Sequence, residues 1–453
     1  MEQSVTFTGS FMQSFTSIGP LLDIAALFSA IAVYSGPYLG TVMLISFLAA
    51  FTTVYVIWSL SKHFQSNGGY YLFAGKILGK SVGVSVSFLY VIYALLVVPN
   101  IALFVSFFIL HFFALNSELS FILSYVVPLL FIFGVTGIVS QGLGKSIKYT
   151  IAAGATELIF ILILDVLFLT HAVSFSFPIL PTTNLETYSV FSGVVFGILA
   201  FAGMGSPVFL SEDTKKGVVT IPRALKYSYL VTGIVLVISA FSMMAFLGIN
   251  GILTYSSNPF YVNDSIRVSF GVWAYAMFAV LAVLSSMNLS VAYSNSLLNA
   301  IRRMSKDGIL PKKVQNNSSL ILVFVVFEVV MITLANAFLG NFLGFVVIAA
   351  IVSFSFMAIH IIVGVSLIRL SIKLREGIKL LAASASVLIL TVTIAFSFIA
   401  DSSPGNPARI SIIAFLTVVV ISASVAYLGS TSSKSWYGKI NIMNNLDSTE
   451  SDR

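Results

Sequence analysis

Apolar runs of about 20 residues recur along almost the whole chain, separated by short polar stretches. Each run is long enough to cross the roughly 30 Å hydrocarbon core of a bilayer as an α-helix. We count 12 runs and predict one transmembrane helix for each. The predicted helices, numbered 1 to 12, span residues 10–34, 38–60, 82–113, 120–140, 148–172, 188–211, 224–248, 268–300, 319–338, 341–370, 379–400 and 409–428.

Composition agrees with this pattern and excludes a soluble globular protein. Hydrophobic residues make up 58% of the chain and charged residues 9%, against roughly 25% charged residues in soluble domains, and the mean hydropathy is +1.03. We therefore predict an all-α polytopic membrane protein without a separate soluble domain. The N-terminus enters the first apolar run without the features of a secretory signal, so we expect no cleaved leader. The lack of cysteine excludes disulfides and thiolate metal sites, and we expect no cofactor.

The basic residues fall on one side of the predicted helices. If the N-terminus is cytoplasmic, all of the 23 Lys and Arg except Arg267 and Arg409 lie in inside loops or in the C-terminal tail. This asymmetry is the one that sets membrane topology, so we expect a multi-pass protein of the cell membrane with both termini in the cytoplasm. The formal net charge of +7 is spread over several loops, which indicates contact with the lipid bilayer and no nucleic-acid partner.

Two of the predicted helices are interrupted within their apolar spans. Helix 6 contains Gly203, Gly205 and Pro207 within five positions, and helix 1 contains the run Thr16-Ser17-Ile18-Gly19-Pro20. A break at membrane depth is costly, because lipid cannot replace the lost backbone hydrogen bonds. Broken helices mark the substrate sites of many secondary transporters, although Gly and Pro also produce simple kinks in membrane helices.

The spacing of the two breaks predicts an internal repeat. Helix 6 starts five helices after the start of helix 1, as expected if helices 1 to 5 and 6 to 10 are inverted repeats. The predicted units are residues 1–175 and 186–372 for the two repeats, 378–430 for helices 11 and 12, and 431–453 for a cytoplasmic tail.

Several separated motifs resemble those of the amino acid-polyamine-organocation superfamily of transporters. They are Phe201-Ala202-Gly203-Met204-Gly205, the acids Glu212-Asp213, Ile221-Pro222-Arg223-Ala224, Ser305-Lys306-Asp307-Gly308-Ile309-Leu310-Pro311, and Asn67-Gly68-Gly69-Tyr70-Tyr71 followed by Leu78-Gly79. Met204 and Gly205 depart from the pattern, since the superfamily often has an aromatic residue and an acid there. The resemblance implies a LeuT-like fold of 12 helices and an amino acid permease that works by alternating access.

The resemblance also implies where a substrate binds. In the superfamily, the substrate carboxylate binds backbone amides at the break in helix 1 and its ammonium binds carbonyls at the break in helix 6. The corresponding residues here are Ser17, Ile18 and Gly19 for the amides and Phe201, Ala202 and Gly203 for the carbonyls, with Met204, Ser206 and Tyr293 around the substrate side chain. Tyr293 could equally serve bundle packing. No Lys or Arg lies deep in a predicted span, so we expect a neutral or weakly polar amino acid.

Four acids lie within apolar spans: Asp23, Glu157, Asp165 and Glu328. Counted from the cytoplasmic end of helix 5, Glu157 lies roughly 14 Å deep and Asp165 roughly 25 Å deep. A carboxyl at midplane is poorly solvated and can take up and release a proton, so we expect Glu157 to couple transport to protons. The alternative is a neutral acid that only forms hydrogen bonds between helices. Asp23, one turn beyond the helix 1 break, is a second candidate that faces the outward pathway. For Glu328 in helix 9 we expect a structural role or a contact between protomers. The protein is expected to be a monomer or a homodimer.

Other energy sources and functions remain as alternatives. Sodium could bind between the helix 1 break and the hydroxyls of Ser285, Ser286 and Ser290, and an exchanger of the same fold or an amino acid-binding membrane sensor would share these features. We do not expect an enzyme, because His63, His111, His171 and His360 are scattered over different segments. A major-facilitator porter would need a long loop between helices 6 and 7, which this chain lacks.

Overall fold

The computed structural model describes residues 4–112, 117–176, 178–315, 317–401 and 409–431. Regular structure in these ranges is helical, apart from a single bridge between Val5 and Thr214. The α-helices are α1 (Phe7–Thr16), α2 (Pro20–Leu22), α3 (Phe28–Ser35), α4 (Leu39–Ser61), α5 (Gly69–Leu78), α6 (Lys80–Phe112), α7 (Ser117–Ser140), α8 (Leu143–Thr170), α9 (Asn184–Gly197), α10 (Gly217–Ser257), α11 (Tyr261–Lys306), α12 (Asn317–Leu374), α13 (Gly377–Asp401) and α14 (Arg409–Thr431). Most of the predicted tail, residues 432–453, lies outside the described ranges.

Ten helical segments in these ranges are long and apolar enough to cross a membrane, which confirms a polytopic all-helical membrane protein. The difference from the predicted 12 arises in two places where consecutive helices join with hardly any gap. Phe7–Ser61 spans 55 residues and Ser318–Leu374 spans 57, and a straight helix of that length would measure more than twice the hydrocarbon core. Each contains a glycine with a positive φ, Gly36 at 51° and Gly340 at 75°.

The broken first helix lies at the centre of the bundle. α1 packs against α8, α10 and α11, and α2 packs against α11. Peripheral helices such as α7, α13 and α14 expose apolar side chains, among them Leu130, Leu388 and Ile413, as expected of surfaces that face lipid.

α5 and α6 approach each other backbone to backbone. A Cβ atom added at Gly83 of α6 would lie 2.6 Å from the Cα atom of Gly75 in α5 and 3.0 Å from the carbonyl oxygen of Tyr71. Only glycine fits this contact, because the opposing atoms belong to the backbone and cannot rotate away.

We therefore expect Gly83→Val to destabilise the protein by about 1–3 kcal/mol through overpacking. The measurement is the thermal unfolding midpoint of the purified protein in detergent. Gly137→Val in α7 is the matched control, because nothing lies within 4 Å of a Cβ atom at Gly137. Equal midpoints for the two variants would contradict the close contact.

Candidate functional site

The backbone of helix 1 is broken between α1 and α2. α1 ends at Thr16, Gly19 adopts a left-handed conformation with φ of 72°, and Pro20 starts a helical segment that continues to Ser35 through a π-helical turn at Asp23–Leu27. Proline suits a first helical position because its missing N–H needs no partner there. The residues between the two halves, 17–19, are called the helix 1 break.

The backbone of helix 6 is broken after a short 3₁₀ turn. α9 passes into the turn Ile198–Phe201, Ala202 is extended, Gly203 has φ of 96°, and a second 3₁₀ turn covers Ser206–Leu210. The residues 202–205 are called the helix 6 break.

Serine hydroxyls join the two breaks. The Ser17 hydroxyl donates to the carbonyl oxygen of Gly203 at 2.7 Å, and the Ser14 hydroxyl donates to that of Met204 at 2.7 Å. In the opposite direction, the Ser206 hydroxyl donates to the carbonyl oxygen of Gln13 at 3.0 Å and to the Ser17 hydroxyl at 2.9 Å. Carbonyls at each break therefore accept hydrogen bonds from side chains of the other helix.

A cavity of about 210 Å³ begins at these breaks and follows the second half of helix 1 as far as Ala30. Four of the nine predicted substrate residues line it: Ser17, Ile18, Ala202 and Tyr293. The other five, Gly19, Phe201, Gly203, Met204 and Ser206, do not line it. Phe201 packs toward Phe47 and Tyr229 instead, and Ser206 is used in the contact between the breaks.

Part of the cavity wall comes from two helices, α6 and α12, on which the sequence predicted no substrate-binding residue. α6 contributes Val97, Asn100 and Ile101, and α12 contributes Phe345, Ala349, Val352 and Ser353. Asn100 gives the only sequence signal among them, since it is an amide residue beside Pro99 in an apolar helix.

Aromatic side chains lie beyond Tyr293 on the side of the N-terminus. The hydroxyls of Tyr293 and Tyr93 are 2.6 Å apart. Tyr90 stacks on Phe209 with ring centroids 4.3 Å apart, and Tyr70 makes edge contacts with Phe209 and Tyr90. These buried rings separate the cavity from the N-terminal face.

Beyond the rings, ion pairs join the motifs that carried the resemblance. Arg303 contacts Glu212 at 2.7 Å and Asp307 at 2.9 Å, while Tyr71 donates to Asp307 at 2.9 Å. Asn67 donates to Asp213 at 2.7 Å. The segments before α5, after helix 6 and at the end of α11 are thus held together on this face.

Glu157 belongs to α8, and its side chain lies beside the helix 1 break. Its side chain is fully buried. Oε1 accepts hydrogen bonds from the Leu21 amide at 3.1 Å and the Ser285 hydroxyl at 2.6 Å, and Oε2 accepts one from the Asn288 amide group at 3.2 Å. The amide of Leu22 donates to the Ser285 hydroxyl at 3.2 Å. Glu157 and Ser285 therefore satisfy the first amides of the second half of helix 1.

The other sequence candidates are dispersed. Ser286 donates to the carbonyl of Ala282 in its own helix, and Ser290 is buried without a hydrogen-bond partner in the described ranges. Asp165 accepts from Ser239 at 2.9 Å and Ser242 at 2.8 Å, between α8 and α10. Glu328 borders a void of about 20 Å³ next to α7 and α11.

Asp23 lines the cavity and is only 6% exposed. Its Oδ2 atom has no hydrogen-bond partner within the described part of the chain. In the same part of the chain, no three His, Asp or Glu side chains are grouped as a metal site would require.

A comparison with known families decides the class of protein. The model of the amino acid permease family matches residues 5–427, almost the whole chain. The chain belongs to the amino acid permease family. This confirms the predicted membership of the amino acid-polyamine-organocation superfamily. The permease is a multi-pass membrane protein of a family of amino acid transporters, not of enzymes. No curated protein matches the chain.

Gly203 offers a test of the contact between the breaks. A Cβ atom there would collide with the carbonyl oxygen of Ser17 and lie 2.8 Å from the Tyr293 hydroxyl. We expect Gly203→Ala to force the breaks apart and weaken amino acid binding about tenfold or more, measured by scintillation proximity with a tritiated amino acid mixture.

The control for this variant is Gly271→Ala. Gly271 also has a positive φ, of 86°, but nothing lies within 4 Å of its added Cβ atom. The control therefore shares the backbone strain without the collision, and equal binding by both variants would contradict the assignment.

Proposed function

We propose that this permease moves an amino acid across the cell membrane by proton symport, with Glu157 as the residue that binds and releases the proton. The position of Glu157 supports this most strongly. It is a fully buried carboxyl that connects the helix 1 break to α8 and α11. Asp165, the acid nearer the far end of α8, makes no such connection.

Protonation changes how firmly Glu157 holds helix 1. The ionised carboxylate accepts hydrogen bonds from Leu21, Ser285 and Asn288, and bonds to a charged acceptor are roughly twice as strong as neutral ones. A proton removes the charge and occupies one acceptor position. The second half of helix 1 is then held less firmly, which frees it for the movement that alternating access requires.

The same geometry couples the proton to the substrate. The positive end of the helical segment that begins at Pro20 is the end at which we expect the substrate carboxylate, near Ile18 and Gly19. An ionised Glu157 at that end opposes a second negative charge, whereas a neutral Glu157 does not. Proton and substrate therefore favour each other's binding, as symport requires.

Sodium symport has less support from these contacts. Of the three candidate serines, the Ser285 hydroxyl donates to Glu157 and the Ser286 hydroxyl donates within its own helix. The Ser290 hydroxyl alone among the three has no hydrogen-bond partner in the described part of the chain. Proton symport, sodium symport, exchange and amino acid sensing respond differently to proton and sodium gradients. An uptake assay with each gradient therefore separates these four functions.

In proteoliposomes, we expect Glu157→Gln to remove the acceleration of uptake by an inward proton gradient and to leave substrate exchange measurable. The amide keeps the shape of the side chain but cannot carry the proton. Asp165→Asn is the control and should retain the response to the gradient. Gradient-driven accumulation by Glu157→Gln would refute the role, dependence on sodium would redirect attention to Ser285, and binding without uptake would indicate a sensor.

We also propose that the chain crosses the membrane 12 times as a five-plus-five inverted repeat, with both termini in the cytoplasm. The positive φ values at Gly36 and Gly340 support a turn inside each of the two longest segments. The distribution of Lys and Arg supports the orientation. The ion-paired face is then cytoplasmic, and the cavity extends toward the outside.

The lack of cysteine makes this topology directly testable by single-cysteine labelling. In intact cells, we expect a membrane-impermeant maleimide to label Asn184→Cys and Phe338→Cys. Lys313→Cys should react only after permeabilisation. The reverse pattern would invert the orientation, and protection of Phe338→Cys beside a labelled Asn184→Cys would contradict a turn at Gly340.

A further inference from the structure

The cavity contains one ionisable carboxyl and no basic side chain. Among the described residues that line it, Asp23 is the only Asp, Glu, Lys or Arg. Asp23 is more than nine-tenths buried, and its Oδ2 atom lacks a hydrogen-bond partner. Burying a carboxylate oxygen without a partner is costly, so this arrangement calls for a donor that the described part of the chain does not supply.

The backbone around Asp23 departs from a regular α-helix. Asp23 begins the π-helical turn Asp23–Leu27, and its carbonyl accepts from the amide of Phe28, five residues on. Such turns are rare inside helices and are frequent at functional sites. The Asp23 side chain is therefore presented to the cavity by a specialised local structure.

Three other polar side chains of the cavity make hydrogen bonds within the protein. The Asn100 amide nitrogen donates one of its two N–H groups to the carbonyl of Phe345 at 2.6 Å, and its carbonyl oxygen can accept a hydrogen bond. The Ser17 hydroxyl donates to Gly203, and the Tyr293 hydroxyl pairs with that of Tyr93. The Asp23 carboxylate and the Asn100 carbonyl oxygen are acceptors in the cavity wall, and they suit a ligand that brings a cationic donor group.

We infer that the substrate is an amino acid with a cationic side chain and that Asp23 binds its ammonium or guanidinium group, which makes Asp23 the specificity-determining residue. This inference rests on the proposed function. It replaces the neutral substrate expected from the sequence, because no Lys or Arg among the described residues lines the cavity to pair with Asp23.

The dimensions of the site agree with such a substrate. Asp23 lies four residues beyond Gly19, about 6 Å along the helix axis. An amino acid whose α-carboxylate and α-ammonium lie at the breaks would extend its side chain along this part of helix 1. Ile18, Leu22 and Leu289 line the way, and their apolar surfaces suit the aliphatic part of a lysine or arginine side chain.

Competition binding to the purified wild-type permease in detergent tests the inference without any gradient. L-lysine and L-arginine should bind about tenfold or more tightly than L-norleucine, which has a similar aliphatic chain without the charge. Binding of norleucine as tightly as lysine, or no binding of either basic amino acid, would overturn the inference.

Variants of Asp23 then locate the preference. Asp23→Asn should lower lysine affinity about tenfold and leave norleucine affinity nearly unchanged, while Asp23→Glu should keep the preference for lysine. Asp165→Asn is the control and should bind like the wild type. An equal loss for lysine and norleucine in Asp23→Asn would show that Asp23 does not select the cation.

The two proposals fail separately. A preference for lysine that depends on Asp23 stands even if Glu157→Gln still responds to a proton gradient. Cadaverine, the diamine that matches lysine without its carboxylate, should bind more weakly than lysine. Equally tight binding of cadaverine would keep Asp23 as the cation partner and count against an amino acid as the substrate.

Discussion

Backbone groups inside a bilayer must find partners within the protein, and this constraint governs the centre of the permease. Both central helices lose their regular hydrogen bonds for several residues, where lipid offers no replacement. The helix 6 carbonyls are satisfied by hydroxyls of Ser14 and Ser17, and the first amides of the second half of helix 1 by Glu157 and Ser285. The positions of α1, α8, helix 6 and α11 relative to one another follow from these bonds.

The sequence predicted the broken helices well because their cause is local. Gly19 and Gly203 adopt positive φ values that other residues rarely reach, and Pro20 and Pro207 lack an amide donor. The depth predicted for Glu157 requires only the start of its helix and the rise per residue, and it stays a prediction.

The lining of the cavity was predicted less well because it depends on tertiary packing. Helices α6 and α12 contribute much of the wall, and no local pattern marks which of their apolar residues face it. The pairing of Glu157 with the Leu21 amide joins residues 136 positions apart, and nothing in the spacing of the chain indicates it. The membrane segments were counted as 12 from hydropathy, while ten long apolar segments are found among the described residues, because the interruptions at Gly36 and Gly340 are very short.

The glycine contact between α5 and α6 affects how the ion-paired face can open. α5 follows directly on Asn67, which bonds Glu212 and Asp213, and it carries Tyr71, which bonds Asp307. Because Gly83 lets the backbones of α5 and α6 meet at Gly75, we expect these two helices to move as one unit. The residues on and before α5 that bond helix 6 and α11 are therefore held close to α6, and we expect a path through this face to form by withdrawal of the partner segments on helix 6 and α11.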